Sequence, residues 1–127
     1  MTGNKLFQYA IDLCGLSSSE FDTPTDVSDL LSRSVSLINI LLSENAILDG
    51  RIKKTDHEIY EITSLEDSLP CSEIIASSVL PYGLARLFML GEDDKLASDL
   101  HSLYIESQKT ALKFGKALQH PIKEVYS

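Results

Sequence analysis

A chain of 127 residues is enough for one hydrophobic core and too short for two of ordinary size, so a single domain over 1–127 is expected. Hydrophobic residues make up 43% and charged residues 24%, which excludes a disordered tail, and a net charge of −8 excludes a conventional nucleic-acid binder, which needs Lys and Arg to displace phosphate counterions. The longest apolar runs, such as Leu37 to Leu42 broken by Asn39, fall far short of the roughly 20 residues of a bilayer crossing, and Met1 to Leu13 lacks the pattern of an export signal, so no membrane partner is expected.

The first helix is expected from Leu6, Phe7, Ala10, Ile11 and Cys14, which share one helical face, with Gly15 as the stop. A polar connection follows, from Ser17-Ser18-Ser19-Glu20 to Asp22-Thr23-Pro24-Thr25. The second helix begins near Asp26 behind a Thr25 cap. Its stripe of Val27, Leu30, Leu31, Val35, Ile38 and Leu42 is widened by Leu37, Ile40, Leu41, Ile47 and Leu48, so much of it should be buried; Asp49-Gly50 is its expected end.

Residues 51–70 change character. Arg51, Lys53 and Lys54 precede the β-leaning run Glu58-Ile59-Tyr60-Glu61-Ile62-Thr63. One strand in a helical chain has no partner for its backbone, so this arm is expected either to close as a short β-hairpin or to pair with another subunit. The third helix, from about Ser72 to Gly91, is apolar nearly all round; Pro81 should kink it near Leu80, and Gly83 admits a close neighbour. The fourth starts at Glu92 or Asp93 and carries Leu96, Leu100, Leu103, Tyr104, Ser107, Ala111 and Leu118 on one side. A tail of about 120–127, opening at Pro121, completes the chain. The fold class is therefore all-α, with about four helices and an arm between the second and third.

Charge is polarised along the chain. From Asp12 to Asp49 seven acids face Arg33 alone, whereas after Ser107 come Lys109, Lys113, Lys116 and Lys123 against Glu124. Cations at a helix C-terminus complement its dipole, and the same polarity suits head-to-tail assembly.

Chemistry-bearing motifs are scarce. There is no glycine-rich phosphate loop, no C-x-x-C and no H-E-x-x-H; His57, His101 and His120 are isolated from one another, and Cys14 and Cys71 read as ordinary thiols. Glu58 and Glu61 have the E-x-x-E spacing with which small all-α nucleotide pyrophosphohydrolases hold magnesium, but in a β-leaning run i and i+3 point to opposite faces. Glu92-Asp93-Asp94 reads as a helix N-terminus. Catalytic, cofactor and metal residues are not expected, and the chain is not read as an enzyme.

Two stretches carry a resemblance. Ile62-Thr63-Ser64-Leu65-Glu66-Asp67-Ser68-Leu69-Pro70, then Val79 followed by Leu80, Pro81, Tyr82, Gly83, Leu84 and Ala85, then Gly91-Glu92-Asp93-Asp94, Ala97 and Leu103-Tyr104, resemble in order the head-tail connector (adaptor) proteins of tailed phages and prophages. The similarity covers roughly Thr25 to Ser107. It implies a small antiparallel helical bundle, made in the bacterial cytoplasm, that forms a ring at the virion head-tail junction. There it would bind the portal protein and a downstream stopper or tail-completion protein, with DNA as passing cargo. By the same resemblance Asp26, Asp29 and Glu44 would line the channel, Glu58 to Ile62 would reach the next subunit, and Ile122, Val125 and Tyr126 would grip the portal. The other readings of the sequence are a generic helical adaptor or antitoxin-like regulator, and a small magnesium-dependent all-α hydrolase.

Overall fold

The computed structural model describes residues 1–16, 24–56 and 58–119, without the side chains of 24–26 and 116–119. Over these residues the chain is all-α: α1 (Gly3–Leu13), α2 (Pro24–Glu44), α3 (Ala46–Lys53), α4 (Glu73–Ser78), α5 (Leu80–Met89) and α6 (Asp94–Gln119). Among the described residues there is no strand, only an isolated bridge between Thr2 and Ser68.

The helix ends follow local chemistry. The Thr2 hydroxyl accepts from the Lys5 amide (3.2 Å) at the start of α1, and Gly15 leaves its end at φ +73°. Gly91 (φ +83°) separates α5 from α6, where the Asp93 carboxylate accepts from the Leu96 amide at 3.0 Å.

Both long helices expected around the core are divided. The second breaks at Asn45 (φ −103°, ψ 6°), whose backbone amide (3.0 Å) and side-chain amide (2.9 Å) both donate to the Leu41 carbonyl. It then resumes as α3 and passes through Asp49-Gly50 to Lys53, because Gly50 is buried within α3 and the Asp49 carboxylate is taken by the Ser72 amide at 2.8 Å. The turn comes instead at Lys54, in the left-handed region (φ +57°). The third helix breaks at Val79. Pro81 has no N–H for the Ser77 carbonyl, so it sits in the first turn of a new helix rather than kinking one continuous helix. Among the described residues six helical elements thus stand where about four were expected.

Of the two expectations for the arm, the hairpin is not formed among the described residues. Ile62 is instead held by a side chain: Asn39 of α2 donates from Nδ2 to the Ile62 carbonyl (3.0 Å), and its Oδ1 accepts from the Ile62 amide (2.8 Å). One carboxamide does what a strand partner would do, and the Ile62 side chain enters the core at 3% exposure.

Next comes a turn built on Asp67, whose carboxylate accepts from the amides of Thr63 (2.9 Å) and Ser64 (3.1 Å) and from the Thr63 hydroxyl (3.2 Å). These donors, the Thr63 amide foremost, hold the Asp67 carboxyl below its ordinary value. The turn in turn accepts from α1: the amides of Gly3 and Asn4 donate to the carbonyls of Asp67 (3.1 Å) and Leu65 (2.8 Å). A depressed carboxyl stabilises the fold above its unfolded value, and that contribution is lost as pH falls through the lower native value. Acidification should therefore release the amides of Thr63 and Ser64 to hydrogen exchange, and Asp67→Asn should remove the acid dependence; an unchanged titration would show that the carboxylate does not hold the turn.

Around these connections the core closes on α5, which packs against α1, α2, α4 and α6. Leu6, Ile38, Leu41, Ile75, Val79, Leu80, Leu84 and Phe88 are essentially inaccessible, and Phe7 meets Phe88 edge to face, with ring centroids 5.8 Å apart.

Candidate protein-binding surfaces

The stretch Leu80 to Ala85 forms the first turns of α5. Leu80, Pro81, Gly83, Leu84 and Ala85 are buried, and Tyr82 is half-buried at the surface. Gly83 is where the chain needs the missing side chain: a Cβ there would lie 2.8 Å from the Tyr104 ring and 2.8 Å from a Leu41 methyl. The tyrosine of the Leu103-Tyr104 pair on α6 therefore packs against the glycine of α5, and these two parts of the resemblance are one contact.

Tyr104 is fixed from its other end. Its hydroxyl donates to Glu44 Oε1 (2.8 Å) and accepts from Asn45 Nδ2 (2.8 Å), and Gln108 Nε2 donates to Asn45 Oδ1 (2.9 Å). The Arg86 guanidinium lies 5.1 Å from the ring centre, 3.7 Å from Glu44 Oε1 and within 3.1 Å of His101 Nδ1. Asn45, which divides α2 from α3, is thus the point where both helices are joined to α6.

Burial, then the bond to the Glu44 carboxylate, push the Tyr104 hydroxyl above its ordinary value. A raised native value contributes stability that is whole below the unfolded value, near 10, and is lost as pH rises beyond it. Tyr104→Phe should cost about 1–2 kcal/mol at neutral pH, from the partners it leaves unpaired. It should also flatten the alkaline fall in stability relative to the parent; parallel alkaline curves would show that the hydroxyl is not held as described.

Two surfaces remain open. The first is a groove of about 630 Å³ between α4 and α6, lined by Ile74, Tyr82, Leu103, Ala111 and Phe114, with Glu73 and Glu106 on its rim. Tyr82 also belongs to a shallower cleft with Tyr9, Leu13 and Pro81, which carries the apolar surface on to α1. The second is the arm. Ile59 and Tyr60 are exposed, and Glu58 and Tyr60 line a polar cleft with Ala46, Asp49 and Lys53 of α3. Ile40 and Ile47, expected to be buried, are also exposed beside Asn39 and Ala46. The stripe on α2 and α3 is wider than the core it covers.

Other expected site residues are placed as follows. Asp29 is exposed and paired with Arg33 (3.3 Å), and the side chain of Asp26 lies outside the described residues. Glu44, expected in the channel, is turned to Tyr104 and Arg86, since a buried hydroxyl and a nearby guanidinium both require an acceptor. Of the arm, Glu58, Ile59, Tyr60 and Glu61 are exposed, whereas Ile62 belongs to the core and cannot reach a neighbour. Ile122, Val125 and Tyr126 lie outside the described residues, as do His57 and His120. Phe114 was not singled out by sequence; its spacing from Leu103 and Ser107, at i+11 and i+7, places it on their face.

Among the described residues no three His, Cys, Asp or Glu side chains cluster as metal ligands would, and no helix is long and apolar enough to cross a membrane. Cys14 and Cys71 are unpaired, half-buried thiols whose values burial raises to about 11 and about 12, so both remain protonated and poorly nucleophilic. Comparison with protein-family models, curated proteins and solved structures finds no match.

Proposed function

We propose that this chain is a structural connector of a phage or prophage virion, assembling as a ring at the head-tail junction, binding the portal and continuing the DNA channel. The observation that carries the reading is that the stretches resembling the connector family act together in the fold. The Ile62–Leu69 turn ties α1 to α2 through Asn39 and Asp67, and the Leu80–Ala85 turn of α5 receives Tyr104 of α6. A catalyst would gather polar groups in a cleft; here the resembling stretches build a frame, and the frame leaves apolar surfaces outward, as a chain that works by assembly requires.

Asp29, exposed and paired with Arg33, is assigned to the channel wall, where like charge keeps DNA mobile, and Glu44 is taken by Tyr104 and Arg86. The tail from 120 is assigned to the portal, and a downstream stopper or tail-completion protein to the opposite end.

Light scattering of the 14.1 kDa chain, alone and with a candidate portal protein, tests the reading. Stoichiometric recruitment onto the portal is expected, weakened by deletion of Pro121 to Ser127 without loss of the thermal transition. A chain that ignores the portal at every concentration overturns the connector and leaves a helical adaptor for a single protein partner.

A further inference from the structure

We infer that the arm of one subunit docks in the α4–α6 groove of the next, so that the contact between copies is head-to-tail. The inference deepens the assembly reading and rests on self-association, not on the portal.

The two surfaces share no residue and differ in form. The groove is concave and apolar, with Ile74, Tyr82, Leu103 and Phe114 in its lining. The arm presents two adjacent large apolar side chains, Ile59 and Tyr60, and residues 59–61 make no backbone hydrogen bond to any described residue. A concave surface does not fill a copy of itself, whereas the exposed Ile59 and Tyr60 of a second copy can fill it.

The arm is also anchored for the purpose. Asn39 fixes it at Ile62 and α3 fixes its base at Lys54, so ordering Ile59 and Tyr60 at an interface surrenders less chain entropy than docking a free segment.

Charge agrees with this pairing. Glu58 and Glu61 flank the two apolar residues, and Lys53 and Lys54 stand at the arm's base. On the receiving side Lys109 and Lys113 are exposed on α6, one helical step from Thr110 and Phe114, while Glu73 and Glu106 form the rim. Lys53 is paired with Asp49 (3.1 Å) and Glu73 with the N-terminal ammonium (3.5 Å), so the complement each copy offers the next is Glu58 and Glu61 of the arm for Lys109 and Lys113 of α6, and Lys54 for Glu106. Because the surfaces are distinct, every docked pair still offers one free arm and one free groove. Such contacts close a ring when the rotation between neighbours divides a full turn, and run on as a filament when it does not.

The test uses the full chain in two variants: Ile59→Asp with Tyr60→Asp on the arm, and Leu103→Asp with Phe114→Asp in the groove. All four positions are exposed, so both variants should keep the parent's thermal transition. The parent should grow in mass with concentration by light scattering, and each variant alone should lose this and scatter as one chain. Mixed in equal amounts they should give a two-chain species and nothing larger, since one intact arm meets one intact groove. A second set, Glu58→Lys with Glu61→Lys against Lys109→Glu with Lys113→Glu, should likewise associate only when mixed.

A parent that stays a single chain up to the solubility limit overturns the inference, as does either variant that retains the parent's mass, or a mixture that stays unpaired. Loss of self-association on deleting 120–127 alone would give the groove to the tail and overturn it equally. Portal recruitment is read in a separate mixture: a parent recruited to the portal whose arm and groove variants assemble there like the parent leaves the connector standing and removes only this contact.

Discussion

Gly83→Val is expected to lower the stability of the domain by about 3 kcal/mol, which for a domain of this size moves the thermal midpoint by about 12 °C. The first carbon of any side chain at 83 arrives 2.8 Å from both Leu41 and the Tyr104 ring. The Leu41 methyl is the end of a flexible chain and can yield. The ring cannot, because its hydroxyl is held by Glu44 and Asn45 and its face by Arg86. Alanine at 83 makes the sharper comparison. It gains about 1 kcal/mol in helix propensity over glycine, yet it introduces the same clash, so Gly83→Ala should still destabilise while valine does so more strongly. Combining Gly83→Ala with Tyr104→Leu should cost less than the sum of the two single changes, since the smaller side chain vacates the contested space. Thermal melts of the single and double variants check this; additive losses would mean that the glycine and the ring do not oppose each other.

Asn39→Leu should have the second largest effect, about 2–3 kcal/mol, from leaving the amide and carbonyl of Ile62 without partners at a part-buried site. The effect should also be local. Hydrogen exchange at Ile62 and Thr63 should rise well before that of α5, because the arm loses its anchor while the core around Phe88 persists. Asn39→Asp distinguishes this anchor from mere packing. The carboxylate still accepts from the Ile62 amide but sets negative charge against the Ile62 carbonyl, so it should recover part of the loss near the pKa of the new acid and less of it at neutral pH. If leucine leaves exchange at Ile62 unchanged, the carboxamide is not what holds the arm. If the arm docks as inferred, Asn39→Leu should also weaken self-association while Ile59 and Tyr60 remain in place.

The all-α class, the Gly15 and Gly91 stops and the buried Leu80–Ala85 stretch were legible in the chain because each rests on nearest-neighbour chemistry: spacing of apolar residues, positive φ at glycine, and a proline without a donor. The Ile59 and Tyr60 arm was legible for the same reason, as a β-leaning run with no second run to pair with. Its hairpin was not, since the partner proved to be a single side chain, Asn39, 23 residues away, and carboxamide mimicry of a strand leaves no periodic trace. Asn45 looked like one polar residue within an apolar stripe; only contact with Tyr104 and Gln108 makes it the break between α2 and α3. Asp49-Gly50 had the composition of a stop and became helix interior because Ser72 claimed the carboxylate. The wide stripe of α2 predicted burial that the neighbouring helices do not supply, which is why Ile40 and Ile47 face outward. Local sequence determined which segments become helical and where their ends are capped. Which polar groups find one another, and which apolar faces are left over, was decided by tertiary packing, because both depend on distances between segments that no local pattern encodes.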